Sequence, residues 1–284
     1  MKQIATVFLA VLASLLAVYV LGAKGGEGRA VKESAYERVL RTGVLRCGYA
    51  SFGTNLYKDP NTGEIGGYTA DIARAVAKEL GLEVEWTAEV GFADFAEGLK
   101  NAHYDMFCGP LSMIPARSRV ATFLDPYLYM PFYVYVRTGE DRFRTFEALN
   151  DPAYTYGSTD GEVFQKISRK KFPLAKENAL PNMSQPAMLF LDLAARKSDF
   201  LVQDLSAYRD YVSNNPGKIQ VFLNKPLEVN AVAFAVAKGE DDLEDMLNVA
   251  VHTLVQNGVV DNILSDYGYS DKDIFRVQLP IRSQ

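Results

Sequence analysis

The chain has 284 residues, enough for about two domains. Apolar residues make up 48% and charged residues 23% of it, which is the balance of a globular protein. The formal charge is −5, and an acidic chain argues against nucleic acid as the main partner.

The N-terminal segment has the composition of a targeting sequence. Lys2 is followed by an almost entirely apolar run, residues 4–23, which is long for a signal peptide core and just sufficient to span a bilayer. A glycine-rich stretch at residues 24–29 then reads as a linker. We interpret residues 1–30 as an export signal or an uncleaved inner-membrane anchor, plus linker, and therefore expect a periplasmic or extracytoplasmic protein. A buried core helix is the alternative, and the position at the N-terminus disfavours it.

The two cysteines, Cys47 and Cys108, match no metal-binding spacing. Each ends a predicted strand just before a glycine. If these strands are neighbours, an exported protein permits a disulfide between them. Two buried free thiols are an equally valid interpretation, since cysteine packs well as a small apolar residue.

From residue 44 onward, apolar segments with strand and helix patterns alternate along the chain. This alternation predicts an α/β protein with a mostly parallel sheet. Strands are predicted at Val44–Ala50, Leu82–Thr87, Tyr104–Gly109, Tyr154–Gly157 and Phe200–Gln203. Helices are predicted at Thr69–Leu80, Phe92–Asn101, Thr145–Leu149, Gly161–Lys171, Ala187–Ala195, Leu205–Ser213, Leu243–Gln256 and Val259–Tyr267.

Two further runs, Tyr127–Arg137 and Val229–Ala237, are too continuously apolar for half-exposed strands. We interpret them as long strands that cross between two lobes and form a hinge. Lobe 1 then comprises residues 31–129 and 229–284, and lobe 2 comprises residues 130–228. A ligand is expected in the cleft between the lobes.

A candidate anion site lies between Ser112 and Arg117. Pro115 suits the first turn of a helix, where its missing N–H has no cost. The Ser112 hydroxyl, free backbone N–H groups and the Arg117 guanidinium would then converge on a space of carboxylate size. The alternative is a surface helix start with a solvated arginine.

The chain from about Arg41 to Tyr267 resembles the family 3 periplasmic solute-binding proteins, the binding components of polar amino-acid ABC transporters. The order and spacing of several short motifs carry this resemblance. They are Gly63-Glu-Ile-Gly-Gly-Tyr-Thr-Ala-Asp71-Ile, Ser112 to Arg117 (S-x-T-x-x-R in the family), Phe123-Leu-Asp-Pro-Tyr127, Gly157-Ser-Thr159 and Asp199-Phe-Leu-Val-Gln-Asp204.

The resemblance implies a two-lobed type 2 periplasmic-binding-protein fold with the ligand cleft between the lobes. It further implies a monomer that captures an amino acid or similar small carboxylate by cleft closure and delivers it to an ABC permease. No catalytic residue, cofactor, metal or nucleic acid is expected.

Ligand contacts follow from the resemblance, one position at a time. Arg117 stands where the family's arginine pairs with the ligand α-carboxylate, and Ser112 stands beside it. Ser158 and Thr159 stand where lobe 2 closes over that carboxylate. Asp204 stands where an acid pairs with the α-ammonium group, although a helix N-cap is the alternative role.

The remaining predicted contacts stand at positions that match the family pattern less closely. Phe92 stands where an aromatic ring often stacks on the ligand side chain, with a core position as the alternative. Pro110 keeps only a carbonyl where the family has glycine or serine, and Ile114 replaces a threonine. The first loop lacks the usual acid and aromatic residue, for which Phe52, Tyr49 or Tyr57 would be a partial substitute. The missing acid weakens the case for a cationic ligand side chain, so the amino acid stays unassigned.

Two alternatives remain open. One is a dehydratase of the cyclohexadienyl type on the same scaffold, for which Glu162 is the nearest general acid. A glutamate favoured at a helix start by the helix dipole is the simpler interpretation of that residue. The other alternative is a membrane-anchored ligand-sensing domain not coupled to transport.

Overall fold

The computed structural model describes residues 33–271 and 273–277. Within these ranges no helix combines the length and the apolar character that crossing a membrane requires. The predicted export signal or anchor and its linker, residues 1–30, lie outside the described residues.

The helices follow the predicted amphipathic patterns. The second helix buries Ile72, Ala73 and Val76, whose spacing of three and four residues places them on one face. A 3-10 turn, Glu147–Leu149, occupies the place of one short predicted helix. The α-helices of the described chain are α1 Ala35–Thr42, α2 Tyr68–Glu79, α3 Phe95–Lys100, α4 Pro115–Ser118, α5 Val163–Lys171, α6 Pro186–Ala194, α7 Leu205–Asn214, α8 Asp241–Gln256 and α9 Val259–Asp266.

The strands include both long apolar runs that the sequence predicts as crossing strands. The strands are β1 Val44–Tyr49, β2 Tyr57–Lys58, β3 Ile65–Gly66, β4 Glu83–Glu89, β5 Met106–Ser112, β6 Ala121–Phe123, β7 Leu128–Arg137, β8 Thr155–Thr159, β9 Lys176–Leu180, β10 Phe200–Asp204, β11 Ile219–Val221 and β12 Glu228–Ala237. Apart from the β2–β3 hairpin, these strands form one sheet in the order β4-β1-β5-β12-β7-β10-β8-β9, with β6 beside β12 and β11 beside β7.

The sheet mixes parallel and antiparallel pairs. Strand β1 is parallel to β4 and β5, and β8 is parallel to β9 and β10. The long strands β7 and β12 run antiparallel to their neighbours. The predicted α/β class is therefore confirmed, but the prediction of a mostly parallel sheet is wrong. Four strand pairs of this sheet are parallel and five are antiparallel, and each antiparallel pair includes β7 or β12.

Strands β7 and β12 connect the two ends of the sheet. Leu128 pairs with Val232 and Phe132 pairs with Glu228, so the first half of β7 lies beside the first half of β12. Beyond that point β7 pairs with β10, whereas β12 pairs with β5 and β6. Two strands therefore cross from one group of parallel strands to the other, as predicted. The lobe boundaries, residues 31–129 with 229–284 and residues 130–228, stay a prediction.

Several elements differ from the sequence prediction. The predicted strand Tyr104–Gly109 runs instead through Met106–Ser112, so Ser112 ends a strand and does not lie in a polar turn. The predicted helix at Phe92 begins only at Phe95, and Phe92 lies in the preceding turn. Strand β9 was missed because its sequence, Lys-Glu-Asn-Ala-Leu, is largely polar and it occupies a sheet edge.

The two cysteines form a disulfide between neighbouring strands. Cys47 lies on β1 and Cys108 on β5, their Cα atoms are 5.5 Å apart, and both residues are fully buried. Of the two interpretations left open by the sequence, the disulfide is the one that the structure contains. Because it joins residues 61 positions apart, it constrains a long segment of the unfolded chain.

Candidate functional site

A cavity lies against the crossing strand β7, between the end of β5 and the starts of α5 and α7. The empty space of about 320 Å³ includes open solvent. We call it the central cavity. It is lined by Phe52, Asn55, Phe92, Pro110, Ser112, Arg117, Met130, Phe132, Glu162, Val163, Phe164 and Asp204.

Arg117, on the single turn of α4, brings a cation to the wall of the cavity while only 4% exposed. Its Nη1 atom donates to the Ser112 carbonyl oxygen (3.2 Å), and Nη2 donates to that of Gly161 (3.4 Å). The guanidinium carbon is 5.8 Å from the centre of the Phe92 ring and 5.9 Å from that of Phe95. At these distances both rings contribute cation–π attraction. The guanidinium is thus held in place by carbonyl groups and aromatic rings.

The same guanidinium retains an unused donor. Its Nε atom is buried and has no hydrogen-bond partner among the described residues. Burial lowers the pKa of Arg117 to about 10, and the nearby Glu162 carboxyl opposes the shift. Arg117 therefore keeps its charge at neutral pH. A buried cation with a free donor favours an anionic ligand group beside it.

Asp204 brings an acidic group to another wall of the cavity. It ends β10 and is the N-cap of α7, where Oδ1 accepts from the backbone N–H groups of Ser206 (2.8 Å) and Ala207 (3.1 Å). The Ser206 hydroxyl donates to the same oxygen. The second oxygen, Oδ2, is buried and has no partner in the described chain. One oxygen therefore caps the helix and the other has no partner, so the capping role leaves an oxygen for the ligand contact, which stays a prediction.

Burial raises the pKa of Asp204, and the hydrogen bonds from the start of α7 oppose that shift. A cationic ligand group beside Oδ2 would favour the ionised form. Asp204 and Arg117 thus offer one unpaired acceptor and one unpaired donor to the same cavity.

Glu162 is the third ionisable residue of the cavity, and it is 5% exposed. It occupies the N-cap position of α5 without making a side-chain capping bond, and its Oε2 atom is buried without a partner among the residues described. Burial and the Asp204 carboxylate raise the pKa of Glu162 to about 8, while Arg117 lowers it. Its carboxyl group is therefore mostly protonated in this environment at neutral pH.

Aromatic rings form much of the remaining wall. The Phe52 ring stacks on that of Phe164 with the centroids 6.1 Å apart, and it meets Phe92 edge-on at 5.8 Å. Phe132 packs edge-on against Phe164 at 4.8 Å. These contacts join residues from the first loop, from β7 and from α5. An apolar side chain would fit this wall without the loss of a hydrogen bond.

Exposed polar contacts join distant segments of the chain near the cavity. The Thr54 backbone N–H donates to Asp210 Oδ2 (3.0 Å), and the Thr54 hydroxyl donates to Oδ1 (3.3 Å). The Asn182 side-chain amide donates to Asp94 Oδ2 (2.8 Å). These bonds are exposed and contribute about 1 kcal/mol each.

Six of the eight predicted contact residues line the central cavity, and two do not. The Ser158 hydroxyl instead donates to Glu177 Oε1 (2.6 Å), and the buried Thr159 hydroxyl has no partner in the described part of the chain. Contact of any of these residues with a ligand stays a prediction. The six are Phe52, Phe92, Pro110, Ser112, Arg117 and Asp204.

The remaining lining residues were not predicted as ligand contacts. Met130 and Phe132 are two positions apart on β7 and so share a face, a signal that was present in the alternation of the strand. The start of α5 follows a strand of the parallel group, and such helix starts commonly face a cleft. The unpredicted residues are Asn55, Met130, Phe132, Glu162, Val163 and Phe164. In the described chain no group of three or more His, Cys, Asp or Glu side chains is arranged to hold a metal ion.

Comparison with known proteins gives this geometry a context. The chain is 24% identical to a probable amino-acid ABC transporter-binding protein of Haemophilus influenzae over 238 residues, 82% of this chain and 88% of that protein. It is 22% identical to cyclohexadienyl dehydratase of Pseudomonas aeruginosa over 212 residues, 74% of this chain and 77% of the enzyme.

Among solved structures, an ancestral amino acid-binding protein described as a precursor of cyclohexadienyl dehydratase superposes with a TM-score of 0.72 at 23% identity. The match covers 82% of this chain and 99% of that one. This likeness confirms the predicted two-lobed periplasmic-binding-protein fold. Residues 46–270 match the bacterial extracellular solute-binding proteins, family 3. The chain therefore belongs to this family of solute-binding proteins.

Proposed function

We propose that this protein binds an α-amino acid in the central cavity, outside the cytoplasm, and delivers it to an ABC permease. The observation that carries the proposal is that Arg117 and Asp204 line one cavity and that each has a buried atom, Nε and Oδ2, without a partner among the described residues. An α-amino acid presents a carboxylate and an ammonium group only a few ångströms apart. Family membership and the relatives' names support this class of ligand.

Binding is proposed to proceed by closure. Arg117 lies in the predicted lobe 1 and Asp204 in the predicted lobe 2, so only the closed cleft satisfies both ends of the ligand. Binding energy then favours the closed form over the open one. A ligand that lacks either group leaves a buried charge unpaired, which is costly. The permease is proposed to recognise the closed form.

Replacing Asp204 by asparagine tests the ammonium contact. Asparagine retains an oxygen that can cap α7, so the melting temperature is expected to change little. The loss of charge is expected to weaken amino-acid binding by roughly 100-fold. Calorimetric titration checks the affinity, and thermal unfolding of the same sample checks the fold. Unchanged affinity in this variant would remove Asp204 from the ligand contacts.

A second candidate function, dehydration, is favoured by one observation: Glu162 is buried, faces the cavity and is mostly protonated at neutral pH. Such a carboxylic acid can donate a proton to a leaving hydroxyl group. The retained Asp204 favours binding, since its negative charge calls for an ammonium group. Incubation with prephenate separates the two candidates. Phenylpyruvate formed by wild type and not by Glu162→Gln would establish the enzyme, and no product from either protein supports the binding function.

The proposal also covers the location of the protein, its oligomeric state and the system that it serves. Residues 4–23 are proposed to export the chain or to anchor it at the inner membrane, and the disulfide suits an oxidising compartment. A monomer is proposed. An anchored sensor remains the alternative to a transport component. Purification of the protein from membranes or from the periplasmic fraction, followed by N-terminal sequencing, tests whether the segment is cleaved.

A further inference from the structure

We propose that Arg209 and Asp210 are positioning residues for ligand binding, which attach the helix that carries Asp204 to two segments of the predicted lobe 1. Neither residue lines the central cavity, so neither is proposed to touch the ligand. This inference rests on the proposed amino-acid-binding function, and it adds two residues that act through Asp204.

Helix α7 extends from the central cavity toward the surface. Asp204 is the N-cap of this helix and lines the cavity. Arg209 and Asp210 follow about one and a half turns later on the same helix, where Arg209 is exposed and Asp210 is half-buried. Because a helix of this length is a rigid element, contacts of Arg209 and Asp210 also fix the place of Asp204.

Arg209 binds the C-terminal segment, residues 267–271 and 273–275. Its Nη2 atom donates to Asp273 Oδ1 (2.7 Å), and its guanidinium carbon lies 5.8 Å from the centre of the Tyr269 ring. The other oxygen of Asp273 accepts from the backbone N–H and from the hydroxyl of Ser270, each at 2.8 Å. Asp273 is only 7% exposed. The acceptor is therefore fixed within its own turn, and the ion pair has a defined geometry that favours a net contribution.

The C-terminal segment also contacts elements of the predicted lobe 1. The Tyr269 ring packs edge-on against that of Tyr68 on α2, with the centroids 5.3 Å apart. The backbone N–H groups of Phe275 and Tyr129 each donate to the carbonyl of the other residue (2.8 Å). Arg209, in the predicted lobe 2, is therefore bound to a segment that is attached to the predicted lobe 1.

Asp210 makes the second attachment, to the first loop, residues 50–56. Its two carboxylate oxygens accept from the backbone N–H and the hydroxyl of Thr54. A Cβ at Gly53 would lie 2.7 Å from Asp210 Oδ2, so a larger residue would displace this carboxylate. The same loop supplies Phe52 and Asn55 to the cavity wall. The bond to Asp210 therefore holds α7 beside a second part of that wall.

Contacts between the two predicted lobes favour the closed form, because opening of the cleft separates their partners. Arg209 and Asp210 thereby raise the affinity without contact with the ligand. A residue with a merely structural role would stabilise the ligand-free protein as well. Substitution of Arg209 or Asp210 is instead expected to lower the affinity and to leave the melting temperature of the ligand-free protein nearly unchanged.

The experiment is calorimetric titration of the full chain with the common L-amino acid that binds wild type most tightly. Arg209→Gln removes the cation and Asp210→Ala removes both acceptors, and each is expected to lower the affinity by roughly threefold to tenfold. Arg209→Lys keeps the charge and is expected to recover most of the loss. Thermal unfolding of each variant without ligand measures the stability.

A double-mutant cycle isolates the ion pair. Asp273→Asn keeps an oxygen that can accept from Ser270 but loses the charge that Arg209 binds. If Arg209 and Asp273 act together, the variant with both substitutions is expected to bind no more weakly than Arg209→Gln alone.

Arg142 provides the matched control. Its ion pair with Glu140 has an N–O distance of 2.7 Å and side chains 41% and 7% exposed, against 2.7 Å, 44% and 8% for Arg209 and Asp273. Both members of the control pair lie in the predicted lobe 2. Arg142→Gln is therefore expected to leave the affinity within about twofold of wild type.

The outcomes are distinct. Weaker binding in Arg209→Gln and Asp210→Ala than in Arg142→Gln, with an unchanged ligand-free melting temperature, supports the inference. Wild-type affinity in both variants overturns it while amino-acid binding itself stands, and so does a loss of affinity that comes with an equal loss of ligand-free stability. If wild type binds no amino acid, the proposed function fails and the inference fails with it.

Discussion

Replacing Arg117 by alanine is expected to abolish measurable binding of the amino acid. Arg117 lines the cavity, and its guanidinium is buried, keeps its charge and has an Nε donor without a partner among the described residues. Without it the ligand carboxylate would enter an aromatic cavity unpaired, at a cost of about 3–5 kcal/mol. This corresponds to a loss of roughly 100-fold to several thousandfold in affinity. Isothermal titration calorimetry with wild-type protein as reference measures the effect.

Arg119 provides the matched control for this substitution. It lies two residues further along, at the C-cap of α4, and its side chain is exposed. Arg119→Ala removes the same charge from the same turn and is expected to leave the affinity within about threefold of wild type. An affinity of Arg117→Ala within about tenfold of wild type would sink the assignment of the carboxylate contact.

Removing the disulfide is expected to lower the stability substantially. Cys47 and Cys108 close a segment of 61 positions, and a cross-link of that length contributes about 4 kcal/mol by restricting the unfolded chain. For a domain of this size the melting temperature of Cys47→Ala/Cys108→Ala is expected to drop by roughly 10 °C. Thermal unfolding followed by circular dichroism measures this drop.

The companion measurement is the thermal unfolding of wild-type protein in the presence of a thiol reductant. Reduction removes the disulfide without creating a cavity. Both samples are expected to melt well below the oxidised wild type. If the double variant and oxidised wild type melted at the same temperature, the disulfide would make no contribution to stability.

The strands and helices with strong apolar periodicity could be predicted from the sequence. Strands β7 and β12 are long and continuously apolar, and α2 has a regular apolar face. Short or polar elements could not be predicted, because their sequences have no apolar pattern and pairing with neighbouring strands stabilises them. Strand β11 has three residues and β9 is an edge strand of mainly polar residues, so pairing with neighbours defines both.

The candidate site was predictable where the resemblance supplied a motif. Arg117 and Asp204 were placed in this way, although nothing in local spacing brings together residues so far apart in the chain. Ile114 was recognised as a departure, and in the structure it is the N-cap of α4 without a side-chain capping bond. No side-chain cap at position 114 therefore supports the turn that carries Arg117.

Glu162 is a residue of the site whose surroundings the sequence did not predict. A glutamate at a helix start is usually solvated and favoured by the helix dipole. Here the residue is buried because aromatic residues of the first loop close over the start of α5, with Phe52 stacked on Phe164. That contact joins segments more than one hundred residues apart in the numbering. The burial of Glu162, and with it the shift of its pKa, could not be read from local sequence.

The central claim is that Arg117 and Asp204 hold the two charged ends of one amino acid. The most direct test compares the best-binding amino acid with its analogue that lacks the ammonium group, in wild type and in Asp204→Asn, by calorimetry. Wild type is expected to prefer the amino acid by roughly 100-fold, and in Asp204→Asn that preference is expected to fall below about tenfold. A preference of undiminished size in Asp204→Asn would contradict the claim, because the ammonium group would then be recognised elsewhere.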